Sequence, residues 1–420
     1  MNGSVRTAEK ILTAAVAGIT AREQENVGLD DFLDRRFRVD GSGRAAVTHL
    51  LFTYYRRKAA LDRLLRELAP GAKRELQPLL SAVMTQLYFM TGISSASAVN
   101  VAVSYARQRF GSRPAGYVNA ILRRAAAVDF GAWEEKQPHG ELLPAAADLR
   151  RNWRNQLPAE ELSRLELLLR EPPPFTFRAR RELTAAEVEE LHAVPLTLPS
   201  WSGAFRFYRS DRPAAVLASG LTGQGAIYIQ DPATAAAPGL AAVLPGGAAI
   251  LDLCAAPGGK SLMLAERFPT CRLTAADVST RRQELTRENF RHAGYDFPVV
   301  IADALQPPFA PASFDLVLLD VPCTNSGVGR HRPDALWAYT AAKAAELTAL
   351  QYGMLTAAAR LVMAGGQLIY STCSIEKQED EKQVRRFLSA HTSFRLEHEV
   401  KLLPAPEFDG AYAACLRRVQ

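Results

Sequence analysis

Apolar residues recur at helical spacing along the first third of the chain. A first stripe places four leucines on one helix face and ends at a proline, which stops a helix: Leu61, Leu64, Leu65, Leu68 and Pro70. Two more stripes follow it: Leu79, Leu80, Val83, Met84, Leu87 and Met90, then Val99, Val103 and Ala106. Because no alternating strand pattern interrupts these stripes, we predict an all-α helical bundle over residues 1–138.

The pattern changes between residues 149 and 231, where arginines, prolines and aromatic residues replace the helical stripes. Three consecutive prolines at 172–174 impose extended backbone, and the segments after them have the length of short strands. We predict a small α+β domain here. Two interpretations stay open: its arginines and aromatic residues contact RNA phosphates and bases, or its aromatic residues are simply buried. The residues concerned are Phe175, Phe177, Arg178, Arg180 and Arg181.

Strand and helix patterns alternate from residue 232 to residue 420. Five short apolar segments are candidate strands: AAILDL (248–253), CRLTAAD (271–277), PVVIAD (298–303), FDLVLLD (314–320) and GGQLIYSTC (365–373). Helical stretches separate most of them, which is typical of a mainly parallel, doubly wound α/β sheet of the Rossmann-like type. Such sheets bind ligands at the carboxyl ends of their strands. We therefore predict a multidomain protein with its site at these strand ends.

Composition narrows the class of protein. A hydrophobic content of 48% and a charged content of 22% are those of a folded protein, and no apolar run reaches the roughly 18 residues that span a bilayer. Five cysteines without an export signal favour reduced thiols and a cytoplasmic location. The net charge of +6 permits RNA as a partner. We expect no association with a membrane.

The first predicted strand leads into a glycine loop. Asp252 is followed by LCAAPGGKS, in which Gly258 and Gly259 let a ligand approach the main chain. The GKS ending invites comparison with the phosphate loop of nucleoside triphosphatases. That loop needs a glycine five residues before Gly259, and this chain has Cys254 there. The loop therefore predicts a different nucleoside ligand.

Acidic residues end successive predicted strands along one rim of the sheet: Asp252, Asp277, Asp303 and Asp320. Four carboxylates repel a triphosphate unless several metal ions are present, but they tolerate a nucleoside that carries a cation. Asp277 is placed to accept hydrogen bonds from ribose hydroxyls, and Asp303 to accept from an adenine amine. S-adenosyl-L-methionine, an adenosine sulfonium, meets both demands. We predict it as the cofactor, and we predict no metal ion.

Two cysteines follow neighbouring predicted strands, Cys323 after the fourth and Cys373 at the end of the fifth, whereas Cys271 and Cys415 are expected in the core. A thiolate beside a methyl donor suits methylation of a pyrimidine, because its addition to carbon 6 makes carbon 5 nucleophilic. Asp320 is placed to hydrogen-bond the ring at N3 as charge develops there. The residues alone leave open which cysteine attacks.

These motifs resemble those of the RNA cytosine-C5 methyltransferases. LDLCAAPGGKS, the DVPC–SG segment and YSTCSIEKQEDE are similar to the family's cofactor loop, its Pro-Cys motif and its Thr-Cys motif. VNVAVSYARQRFG and GYVNAILRR resemble a domain similar to the antitermination factor NusB, which marks the members that act on bacterial small-subunit ribosomal RNA. IYIQDPATA resembles the segment that leads into the catalytic domain, so the resemblance covers nearly the whole chain.

The resemblance implies roles for the matching residues. Cys373 would be the nucleophile, Cys323 would assist release of the methylated product, and Asp320 would contact the base. The cofactor would be held by Cys254, Ala255, Ala256, Pro257, Gly258, Gly259, Lys260, Asp277, Asp303 and Asp320. The substrate would be a cytosine of small-subunit (16S) ribosomal RNA, free or in a partly assembled subunit. A basic loop would lie beside the substrate strand, or else be simply solvated: Arg330, His331 and Arg332.

Two positions depart from the family pattern. Arg180 stands where asparagine is usual, and DG is followed by Ala411 and Tyr412 instead of two aromatic residues. These departures concern RNA contact by the central domain and the last strand, and neither touches the catalytic set. Two alternatives stay open: methylation of transfer RNA by the same chemistry, or a NusB-like RNA-binding factor with a decayed catalytic domain. The predicted domains are a helical RNA-binding domain over 1–138, an α+β RNA-contact domain over 149–231 and a Rossmann-like methyltransferase domain over 232–420.

Overall fold

The computed structural model describes residues 3–37, 43–138 and 140–419, and in these ranges the N-terminal region is helical. Its helices are α1 (Gly3–Gln24), α2 (Leu29–Arg36), α3 (Arg44–Leu68), α4 (Gln77–Phe89), α5 (Ser95–Phe110), α6 (Ser112–Ala126), α7 (Phe130–Glu135), α8 (Ala147–Gln156) and α9 (Ala159–Leu169). Among the described residues no strand precedes residue 175, which confirms the predicted helical bundle.

The predicted apolar stripes form the core of this bundle. On α3 the side chains of Leu61, Leu64 and Leu65 are buried, and α4 buries most of its length. These faces pack with α1, α5 and α6 in one hydrophobic cluster. Each leucine side chain fully removed from water contributes about 1.5–3 kcal/mol. Ser94 caps α5 by accepting a hydrogen bond from the Ser97 N–H at 3.3 Å, which satisfies a donor that the helix itself cannot.

Two compact units divide the chain. The helical unit comprises Met1–Pro172 with Gly329–Thr340, and the second unit comprises Pro173–Val328 with Ala341–Gln420. The helical unit is therefore made of two separate stretches of sequence. The three domains proposed from the sequence stay a prediction.

The second stretch of the helical unit, Gly329–Thr340, carries a short helix, α15 (Pro333–Ala338). Its Asp334 carboxylate accepts a hydrogen bond at 3.1 Å from the Leu29 N–H at the start of α2, and it pairs with Arg22 at 3.4 Å. Burial raises the pKa of Asp334, although the Leu29 N–H and Arg22 oppose that effect. The segment is thus anchored within the helical unit by the partly buried Asp334 carboxylate and its partners.

A small antiparallel sheet opens the second unit. Its elements are β1 (Phe175–Ala179), α10 (Ala185–Glu190), β2 (Ala193–Pro195), β3 (Arg206–Ser210), α11 (Pro213–Ala218) and β4 (Ile227–Ile229). The strand order is β2-β3-β1-β4, and every neighbouring pair is antiparallel. Phe177, Leu191 and Val216 lie in the core of this layer. The segment is therefore an α+β module, as predicted.

A seven-stranded sheet forms the rest of the second unit. Its elements are α12 (Ala236–Leu240), β5 (Ala249–Asp252), α13 (Gly259–Arg267), β6 (Arg272–Asp277), α14 (Thr280–His292), β7 (Val299–Ile301), β8 (Phe314–Asp320), α16 (Ala341–Ala359), β9 (Val362–Thr372), α17 (Glu381–Ala390), β10 (Phe394–Leu402) and β11 (Ala411–Arg418). The strand order is β10-β11-β9-β8-β5-β6-β7. The five strands predicted from the sequence are all present and parallel, and β10 and β11 add an antiparallel edge.

The order of the sheet brings the candidate residues to one edge. β5 and β9 flank β8 on either side, so the loops after these three strands leave the sheet next to one another. Asp320, the last residue of β8, lies opposite Ser371 of β9. Buried residues cover both faces of the sheet in two clusters, which fixes the strands that carry the site. In the described part of the chain, no helix combines the length and apolarity needed to cross a membrane.

Candidate active site

The glycine loop after β5 lies close to its neighbours. Gly258 has a φ of 97°, and a Cβ atom added there would lie 3.0 Å from the Phe290 ring. A Cβ atom on Gly259 would lie 3.0 Å from Gln230 Nε2 and 3.1 Å from the Tyr228 ring. The loop therefore packs so closely against neighbouring side chains that larger residues at these two positions would disturb it.

Two of the strand-end acids are buried in the sheet edge. Ser261 donates a hydrogen bond to Asp252 Oδ2 at 2.6 Å, and burial raises the pKa of Asp252 to about 7. Asp252 Oδ1 is buried without a hydrogen-bond partner among the described residues. Asp277 accepts hydrogen bonds from the Ala256 N–H at 3.2 Å and from the Ser279 N–H at 2.9 Å. Both carboxylates therefore adjoin the glycine loop.

The third acid, Asp303, is exposed and accepts a hydrogen bond from the Leu305 N–H at 2.9 Å. The residues of this edge fit S-adenosylmethionine, because a buried acceptor without a partner, strand-end carboxylates and a glycine loop suit a polar nucleoside that carries a positive charge. Asp277 and Asp303 would hold its adenosine, and residues 254–260 would lie along it. The bound cofactor supplies an electrophilic methyl group.

An ion pair links the cofactor loop to the end of β8. Lys260 Nζ donates to Asp320 Oδ2 at 2.7 Å, and the Ser371 hydroxyl donates to Asp320 Oδ1 at 2.8 Å. Burial acts to lower the pKa of Lys260, but the charge and hydrogen bond of Asp320 outweigh it and raise that pKa. Lys260 is therefore a cation, and Asp320 is oriented by two donors at the mouth of the strand.

The two cysteines predicted at neighbouring strand ends are in contact. The Cys323 and Cys373 sulfur atoms lie 3.2 Å apart. Cys323 is buried, and its pKa is raised well above the ordinary value by the hydrogen bond with Cys373 and then by burial. Cys373 is only partly buried, and its thiol donates to Asn325 Oδ1 at 3.1 Å. The structure therefore brings together Asp320, Lys260 and both thiols.

Asn325 is a site residue that the sequence reasoning missed. Its backbone has a φ of 58°, which is uncommon for any residue but glycine and which asparagine tolerates better than most. Its Nδ2 donates to the Cys323 carbonyl at 3.2 Å while its Oδ1 accepts from the Cys373 thiol. One carboxamide thus contacts both cysteine residues. The only signal in the sequence is its position two residues after Cys323.

A second missed residue, Glu379, joins the two loops that carry the cysteines. These are the Pro-Cys loop after β8 (321–325) and the Thr-Cys loop after β9 (373–380). Its carboxylate is fully buried and accepts hydrogen bonds from the Thr324 N–H at 2.9 Å, from the Thr324 hydroxyl and from the Ser374 hydroxyl. Gln351 Nε2 of α16 donates to the same carboxylate at 2.8 Å. Charge-assisted hydrogen bonds of this kind are about twice as strong as neutral ones. Glu379 therefore fixes the Pro-Cys loop against the Thr-Cys loop.

The three arginines of the central domain that the sequence offered as RNA contacts have partners within the protein. Arg178 is fully buried and bonds Glu266, which also accepts from Arg180 Nε at 2.8 Å. Arg181 forms an exposed pair with Glu187, at 2.6 Å. Phe177 is buried and stacks on Tyr208, with ring centroids 5.6 Å apart. For Phe177 the interpretation as a core residue is therefore the right one.

The two departures from the family pattern have structural roles. Arg180 also donates to the Gly225 carbonyl at 2.8 Å, so it holds a turn of the central domain. Tyr412 is buried in β11, and its hydroxyl donates to Glu399 of β10 at 2.7 Å. Ala411 is buried at the start of the same strand.

In the basic loop, Arg330 is buried and donates to the Pro172 carbonyl at 2.9 Å, whereas Arg332 forms an exposed pair with Asp30.

Comparisons with known proteins agree with this geometry. Residues 243–411 match the family model "16S rRNA methyltransferase RsmB/F", and residues 6–127 match the NusB family. The fold is similar to the crystal structure of PH0851, with a TM-score of 0.76, 21% identity and 99% of both chains covered. The crystal structure of NSun6 from Pyrococcus horikoshii with SFG covers 65% of this chain and 98% of its own, with a TM-score of 0.53 and 21% identity.

Curated relatives extend the similarity over both units. Ribosomal RNA small subunit methyltransferase B of Xanthomonas campestris is 35% identical over 362 residues, which are 83% of this chain and 80% of the relative. The protein of the same name from Cronobacter sakazakii is 28% identical and covers 84% of this chain and 83% of its own. The cofactor is S-adenosylmethionine, and the chain belongs to the ribosomal RNA small subunit methyltransferase B family of methyltransferases.

Proposed function

We propose that the protein transfers the methyl group of S-adenosylmethionine to carbon 5 of a cytosine in small-subunit (16S) ribosomal RNA. The observation that carries this proposal is the contact of two thiols, 3.2 Å apart, next to the Lys260–Asp320 pair at the mouth of β8. Methylation of oxygen or nitrogen needs no cysteine, whereas carbon 5 of a pyrimidine needs a nucleophile to activate it. The choice of small-subunit ribosomal RNA as the substrate rests on the names of the relatives.

Cys373 is the proposed nucleophile. Its thiol is only partly buried, so a nucleobase can reach it. The Cys373 sulfur adds to carbon 6 of the cytosine, and carbon 5 thereby gains nucleophilic character. Asp320, held by Lys260 and Ser371, is oriented to hydrogen-bond the ring at N3, where charge develops during the addition. The chain thus supplies covalent activation and electrostatic stabilisation from adjacent strand ends.

Cys323 is proposed to act after methyl transfer. When carbon 5 gives up its proton to water, the electron pair of that C–H bond forms the double bond between carbons 5 and 6, and the Cys373 sulfur leaves carbon 6 as a thiolate. The raised pKa of Cys323 keeps that thiol protonated, and its sulfur lies 3.2 Å from the departing one. It can therefore donate a hydrogen bond to the leaving thiolate and assist release of the product.

A deletion strain tests the substrate directly. We expect RNA from cells lacking the gene to lose one 5-methylcytosine from 16S ribosomal RNA, and the purified protein with S-adenosylmethionine to restore it in vitro. Bisulfite sequencing of total RNA reads every cytosine in both strains. Loss of methylation from transfer RNA alone would assign the second substrate, and an unchanged pattern with no activity in vitro would reject the proposal.

A further inference from the structure

The positive charge of the protein is concentrated in one part of the chain. Residues 1–172 contain 25 lysines and arginines against 19 aspartates and glutamates, whereas residues 173–420 contain 25 of each. The whole net charge of +6 therefore belongs to the first stretch of the helical unit. A polyanion is attracted to the helical unit before any specific contact forms.

Five arginines of this unit converge on one groove. Two helices, α3 and α8, supply them, and the cavity between their side chains has a volume of about 890 Å³. The arginines are Arg63 and Arg66 of α3 with Arg150, Arg151 and Arg154 of α8. Two acidic residues, Glu67 and Glu141, also line the groove, so its side chains carry an excess of positive charge. A groove with this charge attracts a polyanion.

The groove arginines differ in how far their charge is compensated. Arg63 pairs with Glu141 and lies 3.6 Å from Glu67, and Arg151 pairs with Asp148. Arg66, Arg150 and Arg154 instead donate to backbone carbonyls, at 3.3 Å, 3.4 Å and 3.3 Å. A bond to a neutral carbonyl leaves most of the guanidinium charge in place.

Repulsion between two groove arginines also favours the binding of an anion. Burial first, and then the like charge of Arg154, lower the pKa of Arg150, while Glu141 partly opposes them. Two guanidinium groups that repel each other are stabilised by an anion bound between them. Phosphate oxygens suit this place because a guanidinium donates two parallel hydrogen bonds to them.

We propose that the α3–α8 groove docks the sugar–phosphate backbone of the substrate RNA, a proposal that rests on the proposed function. An acidic protein is the other polyanion to weigh. A protein interface usually has large apolar anchors at its centre, and the apolar lining residues here are only Ala59 and Ala147 among those described. Contacts to phosphates need no such anchors and are made mainly by arginine and lysine.

Matched double variants of the full chain test the groove. Arg151→Glu with Arg154→Glu reverses two exposed groove charges, and Arg123→Glu with Arg124→Glu reverses two exposed charges at the end of α6, outside the groove. Both pairs change the net charge equally. Affinity is measured by fluorescence anisotropy with a labelled 16S ribosomal RNA fragment over a series of salt concentrations.

We expect the groove variant to bind RNA about tenfold more weakly or worse at physiological salt. Its plot of log affinity against log salt should be flatter by about 1.4–1.8, because each of the two lost phosphate contacts removes about 0.7–0.9 from the slope. The α6 variant should change affinity less than threefold. The α6 variant should methylate saturating RNA at the wild-type rate. Arg154→Gln should show a smaller loss of RNA affinity. Because it removes one charge without reversing it, it keeps the test valid if charge reversal unfolds the chain.

Equal losses of RNA affinity in the two double variants would show that only the overall charge matters. That result would overturn the proposal that the groove docks RNA. Unchanged RNA affinity in the groove variant would also overturn it and would favour an acidic protein partner. Failure of the proposed function is recognised separately, because the wild-type protein would then not methylate the RNA, whatever the binding of the variants.

Discussion

The Pro-Cys and Thr-Cys loops present the same functional group from neighbouring parallel strands, yet they give their thiols different surroundings. Cys323 is buried and has a raised pKa, whereas Cys373 is partly exposed and bonded to a side-chain amide. Two thiols 3.2 Å apart can therefore take different parts in one reaction. Burial decides which thiol a substrate can reach, and contact between the sulfur atoms allows one to act on the other.

The largest effect is expected for Cys373→Ala. Methylation should be abolished and no protein–RNA adduct should form, because no sulfur is left to attack carbon 6. Denaturing electrophoresis with labelled RNA detects the adduct. Cys271→Ala is the matched control and should keep full activity. The sequence predicts Cys271 in the core, but it is only partly buried against it, and it lies outside the site. An adduct in Cys373→Ala that is absent from Cys323→Ala would reverse the two roles.

A different outcome is expected for Cys323→Ala. The adduct should still form through Cys373 and should then break down slowly, because no thiol remains beside the departing sulfur. A covalent complex that survives denaturing electrophoresis should accumulate with time, and it should vanish when Cys373 is replaced as well. If the single variant turned over at the wild-type rate, Cys323 would have no part in release.

The amide beside Cys373 gives a test based on pH. Asn325→Asp would put a negative charge about 3 Å from that sulfur, in the place of Oδ1. A charge so close disfavours a thiolate by about 1–5 kcal/mol at the dielectric constants of water and protein surfaces. The pH midpoint of adduct formation should therefore move upward by about one to four pH units. The rate at neutral pH should fall accordingly and recover at alkaline pH.

Asn325→Gly is the control for this pH test. Glycine keeps the positive φ of residue 325 and removes the amide without adding charge. Its pH midpoint should lie much closer to that of the wild type than the Asp variant's does. Identical profiles for the wild type and Asn325→Asp would show that the amide has no influence on the nucleophile.

The smallest effect is expected for Ser371→Ala. The hydroxyl of Ser371 is one of two donors that orient Asp320, and Lys260 stays as the other. Loss of one hydrogen bond to a charged group, worth about 1.5–3 kcal/mol, should lower kcat/KM about ten- to hundredfold. Ser371→Thr keeps a hydroxyl and should recover most of the activity. A decrease equal to that of Cys373→Ala would mean that Asp320 depends on Ser371 far more than its contacts suggest.

Much of this site could be predicted from the sequence because strand ends are easy to find. Apolar runs mark β5, β6 and β8, and a polar residue that ends such a run must lie at the edge of the sheet. The strand ends alone therefore predict that Asp320 and the two cysteines lie together. The order in which the cysteines act came only from the family resemblance and stays a prediction.

Other parts could not be predicted, because they depend on long-range packing. Glu379 lies in a charged run, which usually indicates a solvated surface, yet its carboxylate is buried under four donors from the Pro-Cys loop, Ser374 and α16. Arg178 shows that the same error can favour a ligand. Its basic and aromatic segment suggests contact with RNA, but its side chain is fully buried. Only the fold reveals which charges have partners within the protein.

The anchored Gly329–Thr340 segment has a consequence for protein synthesis. Helix α2 is translated long before α15, but the Leu29 N–H at the start of α2 donates to the carboxylate of Asp334, 305 positions later. Trp337 Nε1 likewise donates to the Tyr55 carbonyl at 2.9 Å. A nascent chain that has been made only as far as Pro172 lacks both contacts. The helical unit therefore acquires its full set of contacts only after the ribosome has translated the Pro-Cys motif.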